Sequence, residues 1–294
     1  MQTIQQFINY LLAEKGYSQA TALAYRIALV DLYEFCQRND ALITWNTLDK
    51  DVLRLWMAKD MEKGNAARTV NKKMSAVRSF YRYLLRMEYI NVDPTAQLKN
   101  PKVERRLPTF VKEQEMDRLF DEVKFGDEFE DERDRLILLT FYSTGLRLSE
   151  LLGLKVSDVD LVARELKVLG KRNKHRVVPF GEELSDAFET FFKRRSAQVQ
   201  QDFGEVFLRS NGKVMTPVDV RRVVKKYLSC VTQQQKRSPH VLRHTYATVM
   251  LNNGADLEAV KELLGHESIA TTEVYTHTTF AELKKAYEKA HPRA

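Results

Sequence analysis

The sequence predicts two domains, an all-α N-terminal domain followed by a mainly α (α+β) domain that contains a small antiparallel sheet. Apolar residues recur at helical spacing through residues 3–90, with little sign of strands. Three prolines, Pro94, Pro101 and Pro108, then fall within fifteen residues. Because proline removes a backbone donor and favours extended chain, this stretch is predicted to be a linker. The predicted domains are residues 1–90 and 111–294, joined by a basic, proline-rich linker at 91–110.

Composition favours a soluble globular protein. The 294 residues are enough for two hydrophobic cores, and 44% of them are apolar and 30% charged. The first ten residues lack the basic flank and apolar run of a signal peptide. The longest apolar stretch, Leu136–Tyr142, is far too short to cross a bilayer. Cys36 and Cys230 stand far apart without a CxxC motif, which predicts a reducing cytoplasm and argues against disulfides and a cysteine zinc site.

The net charge of +7 favours a polyanionic partner. Residues 1–105 hold 16 Lys and Arg against 11 Asp and Glu, so an excess of +5 lies in the first third of the chain. Basic proteins without a nucleic-acid partner are common, however. Charge alone therefore leaves DNA or RNA binding open.

The stretch 66–89 is predicted to be an amphipathic helix with one basic face. At about 100° per residue, its cations fall within an arc of about 120°, and apolar side chains face the opposite side. No acidic residue stands between Arg68 and Met87, so this face lacks the i,i+4 ion pairs of an ordinary solvated helix. A helix lying against phosphates explains this pattern better than a solvated face. The predicted DNA-binding residues are Arg68, Lys72, Arg78, Arg82 and Arg86.

The second domain alternates helices with one short strand region. The strand signal covers Val156–Val168 and His175–Pro179, and residues 170–174 between them are predicted to form a turn. Ser238-Pro239 predicts a helix start, with serine as the cap and proline in the first turn. Helical patterns cover Lys112–Val123, Glu132–Ser143, Leu148–Leu154, Glu182–Arg195, Val218–Ser229, Pro239–Asn252, Leu257–Leu264 and Phe280–Ala290.

Arg147 is a candidate phosphate ligand. Gly145 can end one helix and let the chain turn into the next, which brings Arg147 to the start of that helix. Arginine suits phosphate because its planar fork donates two parallel hydrogen bonds and stays charged. Glu150 would share its helix face and hold the guanidinium; a plain helix-start salt bridge is the alternative. Lys171 lies at the tip of the predicted hairpin, where basic residues are usually only solvated.

His240 and Arg243 stand at i and i+3 just inside a predicted helix start, whose positive end suits an anion. A packed histidine beside a surface arginine is the alternative. A zinc site at His240 and His244 is disfavoured, because no Glu lies between them and no third ligand is evident nearby. The acidic run 127–134 is predicted to be a solvated loop that leads into a helix; the metal site of a nuclease is the disfavoured alternative. No GxxxxGK[ST] motif occurs, which excludes a P-loop ATPase.

Tyr275 is the candidate nucleophile. It lies nine residues after His266, which itself follows a Leu-Gly turn. Two arginines, two histidines and a tyrosine are the groups needed to attack a phosphodiester without a metal. A tyrosine of ordinary pKa is only ~0.1% ionised at pH 7, a handicap of about 4 kcal/mol that a base must offset.

The ordered set of candidates resembles the tyrosine recombinase (phage integrase) family. Each residue alone is a weak signal, but the order is highly specific, and the surrounding sequences TGLRLSELLGL, HVLRHTYAT, LLGH and VYTH agree with it. Within the family the chain resembles the bacterial Xer recombinases over nearly its whole length. Many phage and transposon integrases have an extra N-terminal arm-binding domain; we expect none before the first domain here, which favours the Xer branch. Arg172 stands where Xer-like hairpins usually have a second glycine. The matching positions are Arg147, Lys171, His240, Arg243, His266 and Tyr275.

This resemblance implies a SAM-like core-binding domain and a catalytic domain that form a C-shaped clamp on double-stranded DNA. Tyr275 would attack a phosphodiester to give a 3′-phosphotyrosyl link and a free 5′-hydroxyl, and strand exchange would pass through a Holliday junction. No cofactor, ATP or metal is implied, because the covalent link retains the bond energy. His240 would be the base, Lys171 the acid, and Arg147 and Arg243 the phosphate clamp. His266 would complete the pocket, and Glu150 would support it from behind.

The resemblance also implies how the protein works with partners. A homotetramer, or a heterotetramer with a second recombinase, would act on synapsed DNA, with a DNA translocase as a possible activator. The setting would be the cytoplasm, at the nucleoid, with no membrane partner. The amphipathic segment after Tyr275 either packs on its own domain or docks on a neighbouring subunit.

The expected role is Xer-like resolution of chromosome or plasmid dimers. An integrase or invertase of a transposon or phage is the alternative within the family. A type IB topoisomerase shares the same residue set but nicks one strand and relaxes supercoils. A DNA-binding accessory protein with an inactive centre is disfavoured, because all six positions are intact.

Overall fold

The structure, a computed structural model, describes residues 1–103, 109–170, 175–198, 204–265 and 280–294. The chain divides into two compact units, Met1–Arg106 and Leu107–Ala294. The first unit is all-α, and the second is mainly α with a small three-stranded antiparallel sheet, so the predicted fold class is confirmed. None of the helices in the described ranges is both long and apolar enough to cross a membrane.

In the first unit, three helices pack around a fourth, α4. Ser18 and Asp49 cap the starts of α2 and α3, because their side chains accept hydrogen bonds from backbone N–H groups of the first turn. The apolar face of α4 is buried against the other three helices, with Val70, Met74 and Phe80 fully buried. The helices are α1 Gln2–Ala13, α2 Gln19–Asn39, α3 Lys50–Glu62 and α4 Ala67–Arg86.

The second unit is built around α6, which is buried along most of its length. Leu136, Ile137 and Leu139 of this helix are at most 1% exposed, since α8 and α10 both pack against it. The helices are α5 Glu113–Asp121, α6 Phe129–Thr144, α7 Leu148–Leu152, α8 Glu182–Gln198, α9 Pro217–Val231, α10 Pro239–Asn252, α11 Leu257–Leu264 and α12 Phe280–Ala290. The strands are β1 Val159–Asp160, β2 Glu165–Leu169 and β3 His175–Pro179.

The prediction of strand throughout Val156–Val168 was wrong. The stretch begins with a 3-10 turn, continues as the two-residue β1, turns again, and only then enters β2. Asp160 causes the second turn, because its carboxylate accepts hydrogen bonds from the backbone amides two and three residues on, at 3.1 and 2.9 Å. Arg164 completes that turn with φ +56°. Local hydrogen bonds of aspartate thus compete with the strand ladder.

The register of the sheet places one arginine on its buried side. β2 and β3 pair antiparallel, with Leu166 opposite Val178 and Val168 opposite Arg176. Leu166, Val168 and Val178 are buried. Because side chains alternate along a strand, Arg176 shares their face.

The last three helices form a cluster of their own. Tyr246 of α10, Leu263 of α11 and Tyr287 of α12 are each at most 1% exposed and belong to one hydrophobic cluster. α12 therefore packs on its own unit in this structure.

The predicted serine cap of α10 is confirmed in position but not in its hydrogen bond. Ser238 occupies the cap position and a proline follows it, but the Ser238 side chain makes no capping hydrogen bond.

Candidate active site

The turn between α6 and α7 presents Arg147. Gly145 ends α6 in the left-handed conformation, with φ +61°, as predicted. A Cβ there would also lie 2.6 Å from Cδ1 of Tyr246, so two independent constraints demand glycine. Arg147 is the N-cap residue of α7, and its backbone N–H donates to Oε2 of Glu150 at 2.8 Å.

Glu150 is the centre of a cluster of three arginines. Its Oε1 accepts from Nη1 of Arg147 at 2.7 Å and from Nη1 of Arg176 at 2.9 Å. Its Oε2 accepts from Nη2 of Arg176 at 2.9 Å and lies 4.0 Å from Nη1 of Arg243. These four side chains carry three positive charges and one negative charge. The surplus of positive charge suits an anion.

Burial and charge shift the pKa values in this cluster. Burial favours the neutral acid at Glu150, whose side chain is 4% exposed, but hydrogen bonds from Arg176 and Arg147 outweigh it and lower the pKa to about 2. Burial, followed by the positive charge of Arg147, lowers the pKa of Arg243 to about 10. At neutral pH the carboxylate and the Arg243 guanidinium are therefore both charged.

The C-terminal end of α11 holds the same three arginines. The carbonyl of Leu263 accepts from Nε of Arg176 at 3.0 Å, and the carbonyl of Gly265 accepts from Nη2 of Arg147 at 2.8 Å. The carbonyl between them, that of Leu264, accepts from Nη2 of Arg243 at 2.5 Å. These last carbonyls have no partner within the helix, and they form its negative end. Three successive carbonyls thus each fix one guanidinium.

Arg243 is the most enclosed of the three arginines. It lies one turn into α10, its side chain is 8% exposed, and its Nη1 donates to the carbonyl of Gly145 at 2.6 Å. The arginine therefore ties the end of α6 to the end of α11. The alternative of a surface arginine at this position is wrong, because the guanidinium is buried.

His240 lies in the first turn of α10, and its side chain is exposed. His244 follows one turn later, where burial and the proximity of His240 lower its pKa. Among the described residues, no three His, Cys, Asp or Glu side chains are close enough together to hold a metal ion. Three further predicted residues, Lys171, His266 and Tyr275, lie outside the described residues, as does Arg172.

Arg176 is the member of this cluster that the sequence analysis missed. The signal that identifies it is its register, because strand alternation places this arginine on the same face as two buried valines. Its side chain is 16% exposed and makes three hydrogen bonds to other elements. An arginine on the apolar face of a strand needs such partners.

The predicted basic face of α4 divides into two groups. Arg68, Lys72 and Arg82 are exposed. Arg78 instead donates to the carbonyl of Leu98 at 2.8 Å and to Oδ1 of Asn100 at 2.7 Å.

The fifth cation, Arg86, belongs to both groups. It is exposed, and it donates to Oη of Tyr10 at 2.9 Å.

Two known family profiles match this chain. The profile described as the phage integrase family matches residues 109–282, and the profile described as the phage integrase N-terminal SAM-like domain matches residues 4–88. The tyrosine recombinase XerC of Chlorobaculum tepidum is 39% identical over 98% of this chain and 94% of that protein. The corresponding XerC of Azotobacter vinelandii is also 39% identical, over 99% and 96%.

Two solved structures share the fold. The Tn1549 transposon integrase in complex with transposon right end DNA superposes with a TM-score of 0.74 at 22% identity, covering 97% of this chain and 98% of that one. The XerH site-specific recombinase in a post-cleavage complex with a palindromic difH substrate gives a TM-score of 0.73 at 21% identity. There the coverage is 96% of this chain and 83% of that one.

Proposed function

The chain belongs to the phage integrase family as a site-specific tyrosine recombinase, and from that premise we propose that Tyr275 is its nucleophile. The hydroxyl oxygen of Tyr275 attacks a DNA phosphodiester and forms a bond to phosphorus. The bond from phosphorus to the 5′-oxygen breaks, which leaves a 3′-phosphotyrosyl link and a free 5′-hydroxyl. A 5′-hydroxyl of the same or a partner strand then reverses the step.

The protons in this step are moved by two side chains. His240 takes the proton of the tyrosine hydroxyl. In support, its ring is exposed in the first turn of α10 and is therefore accessible to substrate. Lys171 gives a proton to the leaving 5′-oxygen, and His266 donates a hydrogen bond to the phosphate. The support for Lys171 and His266 is their place in the sequence. Lys171 falls between the sequences of the paired strands β2 and β3. His266 is the next residue after Gly265, whose carbonyl accepts a hydrogen bond from Arg147.

The single observation that carries the proposal is the arginine cluster held by Glu150 and the end of α11. The phosphate passes from one negative charge to nearly two in the transition state. Arg147 and Arg243 are already fixed by acceptors in the protein, so they stabilise this charge without reorganising. Removal of one such donor typically costs ~10²–10³-fold in rate.

We propose further that the protein resolves chromosome or plasmid dimers on double-stranded DNA. The support is near full-length similarity to proteins named XerC. It would act in the cytoplasm at the nucleoid, as a homotetramer or with a second recombinase, and a DNA translocase would activate it. Exchange of the C-terminal helix from its own unit, where it packs in this structure, to a neighbouring subunit would link the placement of Tyr275 to assembly. An integrase or invertase of a mobile element is the alternative within the family.

The test is covalent capture on a nicked suicide duplex that carries the site found by chromosomal footprinting. After denaturing electrophoresis we expect a protein–DNA adduct from the wild type, in the presence of EDTA and without ATP. Tyr275→Phe should form none, whereas the matched control Tyr89→Phe, at an exposed tyrosine of the first unit, should form it normally. No adduct from the wild type, or one from Tyr275→Phe, would refute the proposal. Site-independent relaxation of a plasmid would instead favour a topoisomerase.

A further inference from the structure

We infer that Arg176 is a positioning residue for the recombination reaction, one that holds Glu150 and the end of α11 so that Arg147 and Arg243 meet the phosphate correctly. The inference rests on the proposed function above. It concerns a residue outside the set that acts on the DNA. Arg176 lies on β3, whereas the residues that it holds lie on α7 and α11.

The hydrogen bonds of Arg176 are all made to those other elements. Nη1 and Nη2 grip the two oxygens of Glu150, each at 2.9 Å, while Nε donates to the carbonyl of Leu263 at 3.0 Å. These bonds use three of the five N–H donors of the arginine side chain. A planar fork that binds a carboxylate through two bonds fixes its orientation as well as its position.

The orientation of Glu150 in turn determines that of Arg147. Each oxygen of Glu150 accepts one bond from Arg147 and one from Arg176, so the carboxylate lies between the two arginines. Without Arg176 the carboxylate would keep its partners on one side only and could rotate. The guanidinium of Arg147 would then lose one of its two fixed acceptors and keep only the carbonyl of Gly265.

The bond from Arg176 to the Leu263 carbonyl has a similar effect at α11. The next two carbonyls, those of Leu264 and Gly265, hold Arg243 and Arg147. A Cβ at Gly265 would lie only 3.2 Å from Nη1 of Arg176, so the arginine also packs closely against this turn. Arg176 therefore joins three chain segments: β3, α7 and the end of α11.

The expected result is a slower chemical step with unchanged DNA binding. In single-turnover cleavage of the footprinted suicide duplex at saturating protein, Arg176→Gln should reduce the rate of adduct formation by roughly 10²-fold, the usual effect of a small misplacement of catalytic groups. The Kd for the same duplex should change by less than about twofold. Arg176→Lys should stay slow, because an ammonium keeps the charge but cannot form the bidentate fork.

The matched control is Arg209→Gln. Arg209 also forms an ion pair with a partly buried carboxylate of the second unit, Asp219 at 2.6 Å, but on α9 and outside the cluster. This variant should cleave at the wild-type rate. Thermal unfolding of every variant shows which are folded at the assay temperature. If Arg176→Gln is not, the comparison is made with Arg176→Lys.

A double-mutant cycle tests whether Arg176 acts through Glu150. In the Glu150→Gln background, Arg176→Gln should reduce the rate only slightly further, since both changes remove the same interaction. Wild-type rates in a folded Arg176 variant, a weaker Kd with an unchanged rate, or fully additive losses would each overturn the inference. If the wild type itself forms no adduct, the proposed function fails and not this inference alone.

Discussion

At the scale of single residues, the carboxylate of Glu150 stabilises a cluster of three arginine side chains. Arg147, Arg176 and Arg243 surround its carboxylate, whose side chain is only 4% exposed. Taking a charge out of water is costly, and the single carboxylate offsets only part of the repulsion among the three guanidinium groups, which also donate to carbonyls at the end of α11. Loss of the carboxylate would therefore leave three cations close together without a counter-ion.

Glu150→Gln should destabilise the second unit by ~3 kcal/mol, because it leaves the buried Arg243 and the partly buried Arg147 and Arg176 without a counter-ion. Urea unfolding at pH 7 measures the loss. The matched control is Glu189→Gln, which breaks the exposed ion pair with Lys193 on α8 and should leave the unfolding midpoint unchanged. Equal midpoints for Glu150→Gln and the wild type would show that the cluster does not depend on its carboxylate.

The sequence predicts these residues unequally, and the reason is physical. Arg147 and Arg243 stand in motifs that put them at helix starts, where an anion is favoured. Gly145 is recognisable as a helix terminator, and its left-handed backbone confirms it. Arg176 lies in a short strand and is five residues from Lys171, so only the pairing with β2 shows that it points inward. Its partner at Leu263 is 87 residues away, a contact that no local pattern reports.

At the scale of helices and strands, helical periodicity predicted element bounds better than strand patterns did. The bounds predicted for α10, α11 and α12 agree with the structure, because a helix satisfies its backbone within one segment. The strand prediction at Val156–Val168 failed, since aspartate turns interrupt an apolar run there. On α4 the helix and its buried apolar residues were predicted correctly, but its five cations are not equivalent. Arg78 is held by the chain after the helix, and periodicity carries no information about that contact.

The exposed cations of α4 should dominate non-specific binding of DNA. Replacing Arg68, Lys72 and Arg82 together by glutamine should weaken binding to a random-sequence duplex and lower the slope of log K against log salt. The expected change in slope is roughly 0.9 for each phosphate that the variant no longer neutralises. Fluorescence anisotropy between 50 and 200 mM salt measures both, a range in which such contacts are strongly screened.

The control for α4 carries the same change in charge on α3. Lys50, Arg54 and Lys63 are exposed at that helix or its end, and their replacement by glutamine should leave the salt slope near the wild-type value. Arg78→Gln should lower the free energy of unfolding of the first unit and leave the Kd for DNA nearly unchanged, because this guanidinium holds the 98–100 segment. Equal losses of affinity in the two triple variants would mean that net charge matters and the α4 face does not.

A buried histidine lies directly after the C-terminal helix α12. His291 follows α12 and is 4% exposed; its Nε2 donates to the carbonyl of Tyr142 at 3.0 Å, and its Nδ1 accepts from the N–H of Arg293 at 3.1 Å. Both nitrogens are used by the neutral ring, so protonation would remove an acceptor. Burial is the main cause that lowers the pKa of His291 from 6.5 to about 4, and the charge of Arg293 adds to it.

Acidification should therefore loosen the attachment of α12. Between pH 6.5 and about 4 the unfolded chain binds a proton that the folded chain does not, so stability falls as the pH falls through this window. The wild type should lose roughly 2 kcal/mol more between pH 7 and pH 5 than His291→Gln, measured by urea unfolding. His175→Gln, at an exposed histidine of β3, should keep the wild-type dependence on pH. An unchanged dependence in His291→Gln would contradict the assignment.

At the scale of the whole molecule, the described residues of each unit form hydrophobic clusters of their own. The cluster of the first unit runs from Ile4 to Leu98, and the two clusters of the second unit lie within residues 111–290. The charge is divided as well, since residues 1–105 carry +5 of the total +7. A unit that has its own core can fold without the other.

Residues 1–106 alone should therefore fold and unfold cooperatively, with the helical circular dichroism expected of α1 to α4. The same fragment should bind random-sequence duplex DNA in a salt-dependent manner, because it retains α4. The control fragment, residues 107–231, lacks α10 to α12 and so removes Leu242 and Val249 from the core around α6. It should fail to unfold cooperatively, whereas residues 107–294 should do so. A fragment 1–106 without cooperative unfolding would mean that its core depends on the second unit.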